Sequence, residues 1–351
     1  MSRPIPTDFQ KPRRLKRGDK VAVVSPSSGA AHTFRNVQGL GLRNLEALFG
    51  LEVVEFPTSR LSNDELYRNP ERRAEDVNRA FADPSIGAVI ASIGGDDSVR
   101  VLPFLDTEAI RKNPKILMGY SDTTTFTTYL NQLGLVTFNG PSVMAGFAQL
   151  RHMPAEAAAH VESILFEAEA PSYRPYPKWA DHYVDWRTPG YDGELAPFQD
   201  HEGWRWIQGS GVIEGRLFGG CIEVLEFLKG TEFWPALDFF NAKILFLETS
   251  EDKPTVSNVK YMLRNYGSMG VLDRIGALLI GRARSYSDAE KEELYETVGR
   301  VCLLEFGRTN LPVVANMDFG HTDPQWIMPL GCLAALDCEA KSFRLLEAAV
   351  R

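Results

Sequence analysis

Cysteine and histidine are scarce in this chain of 351 residues, which has four of the first and six of the second. The cysteines stand at 221, 302, 332 and 338, form no CxxC pair and match no zinc-finger spacing, so they are expected to be reduced core residues. Positive charge is in deficit, with 38 Lys and Arg against 46 Asp and Glu, a net charge of −8. A nucleic-acid binder normally presents a basic face, so nucleic acid is not an expected partner. Long apolar runs are lacking too. Val21-Ala22-Val23-Val24 is far too short to span a bilayer, and no apolar stretch follows the basic segment up to Lys20. A cytoplasmic protein with no membrane partner is expected. Neither GxxxxGK[ST] nor a fitting GxGxxG occurs, which disfavours nucleotide binding of those types. There is no internal repeat and no low-complexity segment.

What is present is an ordinary globular composition, 44% hydrophobic and 24% charged, in a chain long enough for two domains. The first part alternates short apolar runs with amphipathic stretches. Strands are expected at Val21–Ser25, Glu52–Phe56, Ala88–Ser92, Ile116–Met118 and Val136–Asn139. Helices are expected on the Val37/Leu40/Leu42/Leu45/Leu48 face, over Arg73–Phe81 and Val99–Leu105, and directly after Ser121. This pattern reads as a parallel sheet covered on both faces, with ligands at the carboxyl ends of its strands. His152–Glu169 reads as one Ala-rich helix. From Pro171 to Gly211 the chain carries many aromatics, among them Trp179, Tyr183, Trp186, Trp204 and Trp206, with no periodicity. So long an irregular stretch is usually functional or disordered, and its aromatics argue against disorder. A second α/β unit follows, with strands expected at Ile213–Leu217, Ile244–Leu247, Ile275–Ile280, Val313–Val314 and Leu333–Leu336, and helices over Ile222–Leu228, Val256–Tyr266 and Ala289–Phe306. The expected division is 1–170, an aromatic linker and substrate loop over 171–211, and 212–351.

Gly119-Tyr120-Ser121-Asp122 closes the Ile116 run and opens a helix. A serine on a sharp strand-to-helix turn has the geometry of a nucleophile elbow, with free helix N–H groups nearby to hold an oxyanion. It is equally the geometry of a helix N-cap. Glu248 ends the Lys243–Leu247 run, with Glu251 and Asp252 close behind as rival acids. His321 follows Met317-Asp318-Phe319-Gly320, whereas the other five histidines lie in polar contexts expected to be exposed. Ser, Glu and His at three strand ends make a candidate triad, although a triad is defined by geometry and not by order. Gly94-Gly95 follows another strand and permits close backbone approach to a ligand, an oxyanion or a phosphate. Cys221, at a helix start where a thiol pKa can fall, is a rival nucleophile.

These pieces, with Gly215-Arg216-Leu217-Phe218-Gly219-Gly220 and Gly230-Thr231 between them, resemble the L,D-carboxypeptidase family of serine peptidases. That family comprises the L,D-carboxypeptidases of cell-wall recycling and the microcin C self-immunity peptidases. The likeness runs in family order from about Val21 to Leu330. It implies a flavodoxin-like first domain and a smaller swivelling α/β second domain, with the active site between them. It implies Ser121 as nucleophile, His321 as base, Glu248 as its orienting acid, and an oxyanion hole from the Gly95 and Asp122 N–H groups. It implies no metal, no organic cofactor, and a homodimer. Where members commonly have Gly-Gly-Asn-Leu, this chain has Gly219-Gly220-Cys221-Ile222, which puts substrate positioning there in question. Two substrates compete: the L,D bond of a murein tetrapeptide, and the amide of a microcin C-type aminoacyl or peptidyl nucleotide. Chain length, and Trp179 and Trp186 as candidate base-stacking residues, look more like the immunity branch. The reading from another class is a non-catalytic two-lobed protein that binds a small molecule.

Overall fold

The computed structural model describes residues 5–351, so the first four residues of the expected 1–170 unit lie outside it. Five short apolar runs become the strands of the first sheet: β1 (Lys20–Val24), β2 (Glu52–Glu55), β3 (Ile86–Ala91), β4 (Ile116–Gly119) and β5 (Thr137–Asn139). β3, β4 and β5 are buried at every position, as strands covered on both faces must be. Their order is β5-β4-β3-β1-β2, all parallel. Chain order reverses between β1 and β3, and that is where such sheets open a crevice at their carboxyl ends.

The aromatic stretch is less irregular than its sequence suggests. It holds β6 (Ser172–Tyr173), β7 (Lys178–Trp179), β8 (Gln199–Asp200) and β9 (Arg205–Gln208). β7 and β8 pair with each other, while β6 and β9 form the two edges of the second sheet. That sheet is completed by β10 (Val212–Cys221), β11 (Ile244–Glu248), β12 (Ala277–Gly281), β13 (Val313–Met317), and, after an excursion, β15 (Leu333–Asp337) and β16 (Ser342–Leu345), in the order β6-β16-β15-β10-β11-β12-β13-β9. The excursion is β14 (Met328–Leu330), which leaves the second unit and pairs antiparallel with β5, closing the first sheet. The boundary at 211 therefore divides the sequence but not the sheets. The helices expected at 222, 256 and 289 form as Ile222–Leu228, Val256–Ser268 and Asp288–Arg300, while the expected 152–169 helix is confined to Ala155–Leu165. The Val99–Leu105 stretch, with Pro103 inside it, winds as a 3-10 helix. Among the described residues no helix is long and apolar enough to cross a membrane.

One buried ion pair organises the turn between β13 and β14. The Arg282 guanidinium donates to Asp318 Oδ1 at 2.6 Å, to the Pro324 carbonyl at 2.6 Å and to Thr322 Oγ1 at 2.8 Å. Asp318 also accepts the Tyr176 N–H at 3.0 Å and the Trp204 indole at 2.9 Å, so the aromatic stretch is fastened to the same carboxylate. His201 lies 3.4 Å from it with its side chain 2% exposed, and His160 is likewise enclosed, receiving the Ile327 N–H at 2.9 Å. These two histidines were expected at the surface; both instead serve in packing. Burial pushes the Asp318 carboxyl up, but the Arg282 charge outweighs it and holds the group below its ordinary value. Its contribution to stability is thus complete above the unfolded carboxyl value of about 3.9 and is lost as pH falls through the lower folded value. Removing one partner of a buried pair leaves a bare charge. Arg282→Met is expected to lower the unfolding free energy by about 3–5 kcal/mol, measured from urea melts at neutral pH. A loss within about 1 kcal/mol would show the pair to be dispensable.

Candidate active site

The crevice at the carboxyl ends of β3 and β4 is a cavity of about 300 Å³. Its walls include Gly94, Gly95, Tyr120, Ser121, Tyr183, Trp186, Glu251, Arg284 and His321. Ser121 follows β4 with φ of 58°, the left-handed region that non-glycine residues occupy at a cost of about 1–3 kcal/mol and that recurs at functional sites. Ser121 is the first residue of a 3-10 turn whose cap position falls on Tyr120, so the geometry does not make the serine the N-cap. A Cβ built on Gly94 would stand 2.8 Å from Ser121 Oγ, and so a glycine is required opposite the hydroxyl. Asp122 occupies the second position of the turn, where a backbone N–H has no intrahelical acceptor. Its side chain is turned inward and accepts the Ser98 N–H at 2.9 Å. Burial raises that carboxyl to about 6 against the hydrogen bonds that lower it.

His321 arrives from the turn fastened by Asp318. Its Nδ1 lies 2.6 Å from Glu248 Oε2, and both side chains are buried. Glu248 ends β11, and the room it needs is made by Gly320, whose Cβ would meet Glu248 Oε2 at 2.8 Å. On the other side of the ring, Nε2 lies 3.0 Å from Glu251 Oε2, an approach by charge that misses the alignment of a hydrogen bond. The Tyr120 ring packs edge-on against the imidazole, with centroids 4.7 Å apart. Burial pushes the His321 pKa down, but the Glu248 charge and hydrogen bond, joined by the Glu251 charge, outweigh it and raise the value to about 10. Glu251 responds in the opposite sense. Burial would raise it, but the imidazolium holds it at about 2.

Other candidates fall elsewhere. Trp186 lines the cavity and stacks on Tyr183, which shares a 2.9 Å hydrogen bond with Tyr120. Trp179 does not reach the cavity. It is buried beneath Arg282 and Lys291, at 5.2 and 5.1 Å from its ring, and borders a separate hollow with Asp200 and Glu292. Asp252 lies outside the crevice in the adjoining cavity. Cys221 is buried, its N–H donating to Thr124 Oγ1 at 3.2 Å. Burial, and after it the Glu248 and Glu223 charges, raise its pKa well above the ordinary value, so it is a thiol and not a nucleophilic thiolate. The motifs did not point to Tyr183 or Arg284. The available signal was position, since Arg284 sits just past the carboxyl end of β12. Among the described residues no group of three or more His, Cys, Asp and Glu is arranged to hold a metal ion.

Comparison with known proteins places this geometry in a family. Residues 21–140 match the model of the LD-carboxypeptidase N-terminal domain and residues 214–336 that of the C-terminal domain. A putative carboxypeptidase of Vibrio cholerae is 29% identical, over 95% of this chain and 96% of its own. The microcin C7 self-immunity protein MccF of Escherichia coli is also 29% identical, over 95% and 94%. Among solved structures, MccF in complex with glutamyl sulfamoyl guanosine superposes with a TM-score of 0.82 at 26% identity, covering 97% of this chain and 99% of that one. The MccF-like protein from Streptococcus pneumoniae in complex with AMP has a TM-score of 0.82 at 30% identity, covering 93% and 98%. With two matching domain models in sequence order and full-length structural neighbours, the chain belongs to the LD-carboxypeptidase family of peptidases.

Proposed function

We propose that the protein is a serine carboxypeptidase that cleaves an amide in a small aminoacyl or peptidyl nucleotide through Ser121, His321 and Glu248. The observation that carries this reading is the pairing of His321 Nδ1 with Glu248 at 2.6 Å in the crevice that also holds the left-handed Ser121. In this mechanism His321 Nε2 takes the proton from Ser121 Oγ as the oxygen attacks the carbonyl carbon. Glu248 fixes the tautomer and stabilises the imidazolium. The Gly95 and Asp122 N–H groups receive the oxyanion. The imidazolium then protonates the leaving amine, and a water molecule activated by His321 hydrolyses the acyl-enzyme. A nucleotide-bearing substrate is favoured over a murein tetrapeptide because Trp186, backed by Tyr183 and Phe34, offers an aromatic face in the cavity on which a base can stack. The relatives bound to a sulfamoyl guanosine and to AMP support the same choice. Homodimerisation and a cytoplasmic location are further parts of the proposal.

Ser121→Ala is expected to lower kcat by about 10⁴-fold or more on an aminoacyl sulfamoyl adenosine with an uncharged side chain, measured by product mass spectrometry. Turnover at the wild-type rate would favour the two-lobed binding reading. Trp186→Ala is expected to cut kcat/KM on that substrate about tenfold or more, with a much smaller effect on a murein tetrapeptide. Trp179→Ala, in contrast, should alter melting temperature without this selectivity. Equal losses on both substrates from Trp186→Ala would make the tryptophan a lid.

The rate should rise with pH as His321 loses its proton. The free enzyme's kcat/KM profile is expected to bend well above the ordinary histidine value of about 6.5, toward the value of about 10 held by the two carboxylates. The stabilising charge on His321 is fully present below about 6.5 and disappears as pH climbs through about 10. A bend at the ordinary value would mean that one of the carboxylates does not act on the ring in the free enzyme.

A further inference from the structure

The ring nitrogen that must serve as the base is itself faced by a carboxylate. A general base needs a free lone pair on Nε2, and that nitrogen faces Glu251 at 3.0 Å. Carboxylates at both ring nitrogens stabilise the doubly protonated imidazolium, the form that cannot accept the Ser121 proton. The remaining groups around the ring are Tyr120, packed against it, Asp323 on its own turn and Arg284, whose charge also acts on Glu251. Glu248 is buried and closely packed against Gly281 and Gly320. Glu251 is different. Its side chain is 53% exposed, and it sits in the turn beyond β11, on the boundary between the catalytic crevice and an adjoining cavity of about 620 Å³. That second cavity is lined by Asp64, Asp96, Asp97 and Asp252 as well as Glu251, with no Lys, Arg or His in its wall. Asp97 is paired with Arg73 and Arg100, and Asp64 with Arg68. Asp96 and Asp252 have no ion pair among the described residues, so the hollow beside Glu251 keeps a net negative potential.

We propose that Glu251 is a substrate-released latch on His321. It holds the ring in the empty enzyme, and a cationic group carried by the substrate beside the scissile amide draws it away. This rests on the reading of Ser121, His321 and Glu248 as the hydrolytic site. On release the Nε2 proton passes to solvent, the ring keeps only the Nδ1 proton bonded to Glu248, and Nε2 becomes the base that Ser121 needs. An ammonium or guanidinium is the chemistry that fits, because it satisfies Glu251 and is attracted by Asp96 and Asp252. An acidic residue at the same place would be repelled and would leave the latch closed. Glu251 is thus a positioning residue and sets specificity by coupling substrate charge to the base.

Two probes isolate the charge: N-acetyl-L-lysyl-D-alanine, and N-acetyl-L-norleucyl-D-alanine, which lacks only the terminal amine. The first measurement is an NMR titration of the His321 ring and does not depend on turnover. Glu251→Gln is expected to lower the His321 value by about one unit or more. In Ser121→Ala protein, saturating lysyl ligand should lower it likewise and norleucyl ligand should not. The second measurement is kinetic. Wild type should prefer the lysyl dipeptide by about tenfold or more in kcat/KM, and Glu251→Gln should reduce that preference to about threefold or less. The variant should also cleave the norleucyl dipeptide faster than wild type at neutral pH. The latch is overturned by an unchanged His321 titration in Glu251→Gln, by equal response to the two ligands, or by no response to either. Wild-type turnover by Ser121→Ala would instead overturn the hydrolytic reading, and the titration would still decide the contact between Glu251 and His321.

Discussion

The buried pair of Arg282 and Asp318 is the constraint on which the turn that carries His321 rests. A charge pair of this kind is costly to bury, and it persists only if its remaining donors and acceptors are satisfied. Here they are satisfied by groups from three places: the Tyr176 N–H, the Trp204 indole, and the Thr322 and Pro324 oxygens of the turn that carries His321. The pair therefore ties a stretch of aromatic chain with little regular structure to the turn that carries His321. Trp204 packs in turn on Trp326, which carries the order into the Tyr173 cluster beneath β16.

From that anchor the site is assembled by close approach. Gly320 admits the Glu248 carboxylate, and Gly94 admits the Ser121 hydroxyl. Thr124, on the helix that follows Ser121, accepts the N–H of Cys221 at the end of β10, so the sheet of one domain abuts the helix of the other. The resulting crevice has an aromatic wall of Tyr120, Tyr183 and Trp186 and a charged side formed by Glu251 and Arg284. Glu248, which bonds to the imidazole, also raises its pKa together with the Glu251 charge, so orientation and basicity are set by overlapping groups.

The first sheet was legible in the sequence because a strand buried on both faces is an uninterrupted apolar run. Ala88-Val89-Ile90-Ala91 and Ile116-Leu117-Met118 can hardly be read otherwise. The ends of β4 and β11 were legible for a related reason: Ser121 and Glu248 are the first polar groups after such runs. Strands β6 to β9 escaped because two- and four-residue edge strands have no room for a period, and their exposed positions break any apolar run. β14 escaped because Pro329 sits inside it, which argues against a strand except at an edge, and an edge is where it lies. His201 and His160 looked polar from their neighbours in sequence, but their neighbours in space are Asp318 and the Ile327 amide. Trp179 and Trp186 could not be told apart, since nothing in an aperiodic stretch fixes which ring turns toward Ser121. Glu251 was weighed only as a rival to Glu248; that the two address opposite nitrogens of one ring is a fact of three dimensions.

The return of β14 to the first sheet has a mechanical meaning. His321 is held upstream by Asp318 in the second domain and downstream by a strand that forms three ladder pairs with β5, next to β4, the strand that Ser121 follows. His321 is therefore moored to the sheet that leads into Ser121. A displacement of the second sheet against the first would have to carry this turn with it or break the ladder between β14 and β5. In the proposed mechanism the hydroxyl and the imidazole are thereby linked through one sheet as well as across the crevice.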